Sequence, residues 1–263
     1  MVNFQAIDFN DSGKEEWKKQ VEKELKGQSL EKLNWLDSSF GAIEPIYDYQ
    51  EYLNEKAKNP TFFYSLAGKK RLNAYSLIIH DEKLDNQNIL TALNLGAEFL
   101  LLDCTNKSNI NYDDLLNEVK PEFIEIVLLV SDLNNNLPQH EQIKIFKKDD
   151  GFIDSLILKN QGISIQDEIF YLLSKGYKKL NELKNQGEDL QSIGSKISFR
   201  LGVSANYFLE IAKIRSFRKL WNALLNKEGA APDSSLIISE SAVRYYSTTD
   251  LHNNILRSTL MAM

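Results

Sequence analysis

Residues 196–226 read KISFRLGVSANYFLEIAKIRSFRKLWNALLN, and this stretch decides the fold. Its first eight residues, Lys196–Val203, are predicted to form a strand. Residues 205–226 then repeat apolar side chains at helical spacing. The repeating side chains are Phe208, Ile211, Ile214, Phe217, Trp221 and Leu224. A strand followed directly by an amphipathic helix predicts one unit of a parallel sheet covered by helices.

The same alternation of strand and helix extends from Asn73 to the end of the sequence. The predicted strands are 75–79, 99–102, 124–130, 152–158, 196–203 and 236–243, and the clearest further helices are 165–186 and 249–263. On periodicity alone, an open doubly wound sheet and a barrel both fit. A closed parallel barrel needs eight such units and typically about 250 residues. With about six units, a parallel β/α (TIM-type) barrel is predicted to be incomplete.

The first seventy residues have a different pattern. Residues 14–26 are predicted to form a helix, because Trp17, Val21 and Leu25 repeat at intervals of four and Gly27 follows as a stop. We therefore divide the chain into an N-terminal helical arm, residues 1–70, and a partial barrel domain, residues 71–263. An ordinary extension of the barrel domain is an equally good interpretation of the first part.

Composition excludes several classes of protein. The 263 residues carry 31 basic and 37 acidic side chains, a net charge of −6, so no large cationic field is available for nucleic acid or anionic membranes. The single cysteine excludes an internal disulfide framework. The N-terminus does not resemble a secretory signal, and no apolar run approaches the roughly 18 residues of a membrane span. These features predict a soluble, cytoplasmic protein.

Few motifs for catalysis or metal binding are present. The three histidines stand outside any metal-ligand spacing, and neither a dinucleotide-binding nor a P-loop glycine pattern occurs. Cys104 is interpreted as a small apolar residue at a strand end rather than as a nucleophile. Asp250-Leu251-His252 is a near match to the cobalamin-ligand pattern D-x-H-x-x-G, but Ile255 replaces the glycine. We interpret His252 as a helix residue near a helix start.

Three segments, in order along the chain, resemble the methylmalonyl-CoA mutase family. Residues 197–221 resemble a barrel strand and its helix in that family, and 250–259 resemble the family's D-x-Y-x-N segment. Within the arm, Leu33–Trp35 followed by Phe40–Tyr47 is similar to the family's L-x-W and P-L-Y motifs. The matching residues of the first segment are Ser198-Phe199, Asn206-Tyr207-Phe208, Glu210-Ile211-Ala212-Lys213 and Leu220-Trp221.

The sequence departs from catalytic members at the positions that would bind substrate. Residues 48–72 hold no tyrosine- and threonine-rich collar, and His80 lacks the surrounding family motif. On the last predicted strand, Ser239, Ser241 and Val243 stand where the resemblance places the family's R-x-H-x-Q pattern. Serine and valine cannot supply the charged and amide donors that such a pocket needs. The cobalamin-binding domain of the family has no counterpart in the sequence.

The resemblance therefore implies the small, non-catalytic subunit of a heterodimeric, adenosylcobalamin-dependent mutase, shortened within the barrel. The expected partner is the catalytic large subunit, or a second copy covering the open edge of the sheet. No cofactor is expected in this chain; adenosylcobalamin is expected in the partner. Lys196 and Ser198 match substrate-lining positions of catalytic members and are the candidate substrate-binding residues. They favour the alternative, an acyl-CoA-binding mutase chain that uses cobalamin carried by a separate chain.

The residues of the 205–226 helix also allow a purely structural interpretation. Glu210, Lys213, Arg215 and Arg218 are spaced for ion pairs along one helix face. The sequence alone favours a solvated or partner-facing surface for these four side chains.

Overall fold

The structure is a computed structural model that describes residues 13–37, 41–58, 71–107, 109–133, 136–148, 150–232 and 235–262. The chain divides into two compact units, residues 1–65 with 164–166 and residues 66–163 with 167–263. Phe40 of the arm motif and residues 59–70 lie outside the described residues. The division into an arm of residues 1–70 and a barrel domain of 71–263 stays a prediction.

The first unit is small and stabilised largely by polar contacts. Its elements are α1 (Lys14–Glu24), a 3-10 turn (Leu30–Leu33), β1 (Trp35–Asp37), β2 (Gly41–Ile43) and α2 (Tyr49–Lys58). Strands β1 and β2 pair antiparallel. Lys14 joins the segments, because its Nζ lies 2.9 Å from Glu44 and 2.5 Å from Glu51. Trp35 and Leu36 remain 52% and 78% exposed, so this unit presents apolar surface.

The second unit is an incomplete parallel barrel. Its strands are β3 (Ala74–Ile78), β4 (Phe99–Asp103), β5 (Glu125–Val130), β6 (Ile143–Lys148), β7 (Gly151–Asp154), β8 (Ser198–Val203) and β9 (Leu236–Ser241). Its helices are α3 (Glu82–Asn94), α4 (Tyr112–Leu115), α5 (Leu156–Gln161), α6 (Ile165–Asn185), α7 (Tyr207–Lys227) and α8 (Leu251–Ala262). All strand pairs are parallel and follow chain order from β3 to β9. The predicted incomplete β/α barrel is confirmed.

Two local predictions within the sheet were wrong. Among the described residues the sheet has seven strands, and β6 is the one that the six predicted strands did not include. Its sequence IKIFKK alternates apolar and lysine residues and lacks the continuous apolar run of a doubly covered strand. Residues 156–158, predicted as the end of a strand, instead begin α5. Only residues 149–150 separate β6 from β7. Glycine is required at 151 for two reasons: its φ is +94°, and a Cβ there would lie 2.8 Å from the Lys196 carbonyl.

Three apolar clusters define the two faces of the curled sheet. Two of them pack alternate strand residues against helices, around Leu100 and Ile126 at one end and around Phe199 at the other. Phe199 lies edge-on to both Phe217 and Trp221 of α7, with ring centroids 4.9 Å apart. The third cluster contains strand residues without helix residues: Phe99, Leu101, Val127, Leu129, Phe146, Phe152 and Ile238. This face is the inner face of the barrel.

Candidate functional site

A layer of charged side chains follows the apolar part of the inner face. Because strand side chains alternate between faces, the residue two positions after an inner apolar residue lies on the same face. Applying this rule to Leu101, Phe146, Phe152 and Ile238 places an ionisable residue beyond each of them, towards the carboxyl end of the strand. With Arg200, which is level with Asp154 in the β7–β8 pairing, the charged layer consists of Asp103, Lys148, Asp154, Arg200 and Glu240.

Arg200 is the centre of this layer. Its guanidinium forms an ion pair with Asp154 through Nη2, and its Nη1 lies 3.3 Å from Glu240 Oε2. The guanidinium also lies 5.9 Å from the centroid of the Phe152 ring, so it rests on the apolar part of the inner face. Burial opposes its charge, but the carboxylates of Asp154, Glu240 and Asp103 outweigh burial and raise the pKa of Arg200 above its ordinary value.

The second cation of the layer is also close to an acid. Lys148 Nζ lies 3.8 Å from Asp103 Oδ2 and 3.4 Å from the hydroxyl of Thr105. Three carboxylates and two cations give the charged layer a net charge of −1 at neutral pH. Barrel sites are built at this end of the strands, and a site for an anionic substrate needs cations that are free to bind it. In this layer both cations already have an acid beside them.

The two candidate substrate-binding residues lie at the opposite end of β8. Lys196 ends a 3-10 turn just before the strand, is 43% exposed and forms an ion pair with Glu188. Ser198 is the first residue of β8 and is fully buried. Its Oγ has no hydrogen-bond partner among the described residues. Ser198 shares the inner face with Arg200, about 6.6 Å away along the strand. Substrate binding by Lys196 and Ser198 stays a prediction.

The structure corrects the positions taken for the pocket-lining residues of β9. Ser239 and Ser241 alternate with Ile238 and Glu240, so the two serines lie on the outer face and Ser239 is exposed. Val243 follows the strand in a 3-10 turn. The inner positions of β9 are held by Ile238 and Glu240, one apolar and one acidic. Neither an arginine nor a glutamine stands at any position of β9.

A second group of charges is buried on the outer side of β8. This buried quartet consists of Lys159 on α5, Glu168 on α6, and Glu210 and Lys213 on α7. Lys213 Nζ lies 3.0 Å from Glu168 Oε2 and 2.5 Å from Glu210 Oε2, and it donates to the carbonyl of Gly202 in β8. Lys159 Nζ lies 3.1 Å from Glu210 Oε1. All four side chains are at most 6% exposed.

The quartet overturns the expectation of a solvated face for Glu210 and Lys213, whereas Arg215 of the same helix is exposed. Glu210 and Lys213 face the sheet, whereas Phe208 is 80% exposed. Burial raises the pKa of Glu210, but the charge and hydrogen bond of Lys213, with help from Ser204 and Lys159, outweigh it and hold that pKa below its ordinary value. The quartet is electrically neutral and fastens three helices to β8, so its role is structural.

An open cleft of about 700 Å³ lies at the carboxyl ends of β4 and β5. Of its charged lining residues, Glu82 and Lys107 lie 2.5 Å apart as an ion pair, and Asp132 is paired with Lys147. Cys104, also in the lining, is 2% exposed, and burial, with smaller effects from the charges of Asp103 and Glu82, raises the pKa of its thiol to about 12. The thiol therefore stays protonated at physiological pH and is a poor nucleophile. Cys104 behaves as the buried apolar residue predicted from the sequence.

Comparison with known proteins shows to which family the chain belongs. The family model for methylmalonyl-CoA mutase matches residues 120–263, more than half of the chain and all of β5 to β9. The chain belongs to the methylmalonyl-CoA mutase family. It is 26% identical to the methylmalonyl-CoA mutase small subunit of Porphyromonas gingivalis over 164 residues, which cover 59% of this chain.

Further mutases show similar levels of identity. The large subunit from Porphyromonas gingivalis is 28% identical over 133 residues, covering 49% of this chain. The probable mitochondrial methylmalonyl-CoA mutase of Caenorhabditis elegans is 34% identical over 101 residues, covering 36%. The matched regions are 25%, 18% and 13% of the lengths of these three relatives, so the chain spans a quarter or less of each.

The near match to the cobalamin-ligand pattern at residues 250–255 lies at the start of a helix rather than in a loop. His252 lies in the first turn of α8, and Ile255 fills the position that the ligand pattern reserves for glycine. His140 Nδ1 accepts a hydrogen bond from the backbone of Gln142. Among the described residues, no group of three or more histidine, cysteine or acidic side chains is arranged to hold a metal ion. In the same part of the chain, no helix has the length and apolarity to cross a membrane.

Sequence reasoning missed the residues that give this member of the mutase family its inner face. Asp154, Arg200 and Glu240 are far apart in sequence and match no motif. The available signal was a charge at alternate positions of otherwise apolar strands, which becomes visible once strand register is known.

Proposed function

We propose that this chain is the small, non-catalytic subunit, or its barrel portion, of an adenosylcobalamin-dependent methylmalonyl-CoA mutase. Its role is to support a catalytic large subunit in the interconversion of methylmalonyl-CoA and succinyl-CoA. The complex is an isomerase and a heterodimer, and this chain alone is inactive. Adenosylcobalamin is carried by the partner, and we place the complex in the cytoplasm.

The charged layer carries this proposal. Acyl-CoA substrates are anions, and a rearrangement of their acyl group needs donors that stabilise the thioester carbonyl and a carboxylate. At the carboxyl end of this barrel, Arg200 is already bound by Asp154 and Glu240, and the layer has a net charge of −1. The similarity to a small subunit, over 59% of the chain, supports the same role.

The exposed surface of the first unit supports a protein partner. Trp35 and Leu36 are consecutive in β1 and 52% and 78% exposed, so both faces of this strand offer an apolar side chain to a protein partner. Strands β3 and β9 end the described sheet, and backbone groups at sheet ends are usually covered. The large subunit is the proposed cover; self-association through these edges is the second possibility.

The alternative function is an acyl-CoA-binding mutase chain that uses cobalamin from a separate chain. One observation favours it: the buried hydroxyl of Ser198 lies on the inner face without a partner among the described residues. Isothermal titration of the full chain with acetyl-CoA separates the two functions. No binding is expected for the non-catalytic subunit, and stoichiometric binding would establish the alternative.

A second experiment tests the subunit role directly. The tagged full chain is expected to co-purify from its native cells with a mutase large subunit. Replacing Trp35 and Leu36 by alanine is expected to weaken that association at least tenfold, about 1.4 kcal/mol. The matched control is Leu95→Ala, which removes a side chain that is 84% exposed in the second unit. Capture of no large subunit, or equal association of all variants, would reject the proposed partnership.

A further inference from the structure

We propose that Asp154 and Glu240 are specificity-determining residues, which exclude anionic acyl ligands from the inner face by occupying Arg200. This inference rests on the proposed non-catalytic function and explains which side chains enforce it. One acid from β7 and one from β9 keep the guanidinium of Arg200 from binding an anionic ligand.

The position of the three residues makes the exclusion effective. Asp154 stands directly beside Arg200 in the pairing of β7 with β8, so the acid is held against the guanidinium by the backbone register of the sheet. Glu240 approaches from the other neighbouring strand. A carboxylate that binds through both Nη groups would have to displace both acids, and each displaced acid would remain partly buried without its cation.

Arg200 nonetheless retains the capacity to bind an anion. A guanidinium presents five N–H groups in a planar fork that matches carboxylate and phosphate oxygens. Its Nε is buried and has no hydrogen-bond partner among the described residues, so one donor stays unused. Neutralising the two acids changes the net charge of the layer from −1 to +1 and leaves both the fork and this donor for a ligand.

The test compares the full-length chain with its Asp154→Asn/Glu240→Gln variant, using malonate as the probe in isothermal titration. Asparagine can keep the hydrogen bond that Asp154 Oδ1 accepts from the backbone of Leu156. We expect malonate to bind the double variant at least tenfold more tightly than the wild type, with the gain reduced by added salt. Adding Arg200→Gln to the double variant is expected to abolish the gain.

A matched control separates the local effect from the change in total charge. Asp113→Asn/Glu122→Gln removes the same two charges at exposed positions of the second unit and is expected to leave malonate binding unchanged. If the double variant at Asp154 and Glu240 does not fold, Glu240→Gln alone keeps the Asp154 ion pair and is expected to give a smaller gain.

The outcomes distinguish this inference from the proposed function. A folded double or single variant without any gain in malonate binding would overturn the inference and leave the non-catalytic function standing. Equal gains in the test and control variants would overturn it in the same way. Binding of acetyl-CoA by the wild type would overturn the proposed function, and with it the inference.

Discussion

Removing the ammonium group of Lys213 tests the buried quartet most directly. Methionine has nearly the same length and keeps the apolar stem, so Lys213→Met deletes the charge with little change in volume. The side chain is fully buried and contacts Glu168, Glu210 and the carbonyl of Gly202. The variant therefore leaves two buried carboxylates with Lys159 as the remaining cation of the quartet.

The expected cost follows from this imbalance. Breaking a buried ion pair by removing one partner destabilises proteins by about 3–5 kcal/mol, because the other charge remains buried without compensation. For a protein of this size we expect the Tm to fall by about 6–20 °C. Urea unfolding followed by circular dichroism measures the free energy of unfolding, and Lys178→Met, at a 76% exposed position of α6, is the matched control. The control is expected to stay within about 0.5 kcal/mol of the wild type.

A double variant tests whether the loss of charge balance causes the destabilisation. Lys213→Met/Glu168→Gln restores neutrality, since Glu210 and Lys159 remain as a pair 3.1 Å apart. The double variant is expected to be more stable than the sum of the single effects predicts, by about 1–3 kcal/mol. Strict additivity, or a Lys213→Met variant as stable as the Lys178→Met control, would refute the argument that the quartet acts as one compensated unit.

Three further predictions concern pH, backbone packing and thiol chemistry. The pKa of Glu210 is lower in the folded than in the unfolded chain, so its contribution to stability is complete above the unfolded pKa of about 4.3 and is lost as the pH falls through the folded pKa. When the free energy of unfolding is measured at decreasing pH, it should fall less steeply in Glu210→Gln than in the wild type. An equal slope would contradict this. Gly202→Ala would place a Cβ 2.5 Å from Cβ of Lys159 and should lower the free energy of unfolding in urea by about 1–3 kcal/mol. The control Ser239→Ala should be nearly neutral. Equal stability of the two variants would show that there is room for a methyl group at position 202. Cys104, whose pKa is raised to about 12, should not react with Ellman's reagent at pH 8 until the chain is unfolded, and rapid labelling of the native protein would count against its burial.

Periodicity predicted most of the architecture because local side-chain spacing reflects which residues are buried. The helix at 165–186 was found to within one residue as α6, and the helix at 205–226 to within two residues as α7. Strand β6 escaped prediction, because lysines interrupt its apolar pattern and its pairing depends on β5 and β7, which are supplied by other parts of the chain. Ser198 was named from the resemblance, but its isolation on the inner face required the fold.

The sequence alone determined that this chain forms parallel strands covered by helices and resembles methylmalonyl-CoA mutases, because both conclusions depend on local spacing and ordered motifs. The tertiary structure alone decided what the charged residues do. Glu210 and Lys213 face the sheet because Glu168 and Lys159, more than forty residues away in sequence, complete a neutral buried group with them. Arg200 is held by Asp154, its partner in the β7–β8 register, and by Glu240, which lies two residues beyond its β9 partner Ile238. A charge in a sequence carries no information about its counterion until the chain folds and brings the two together.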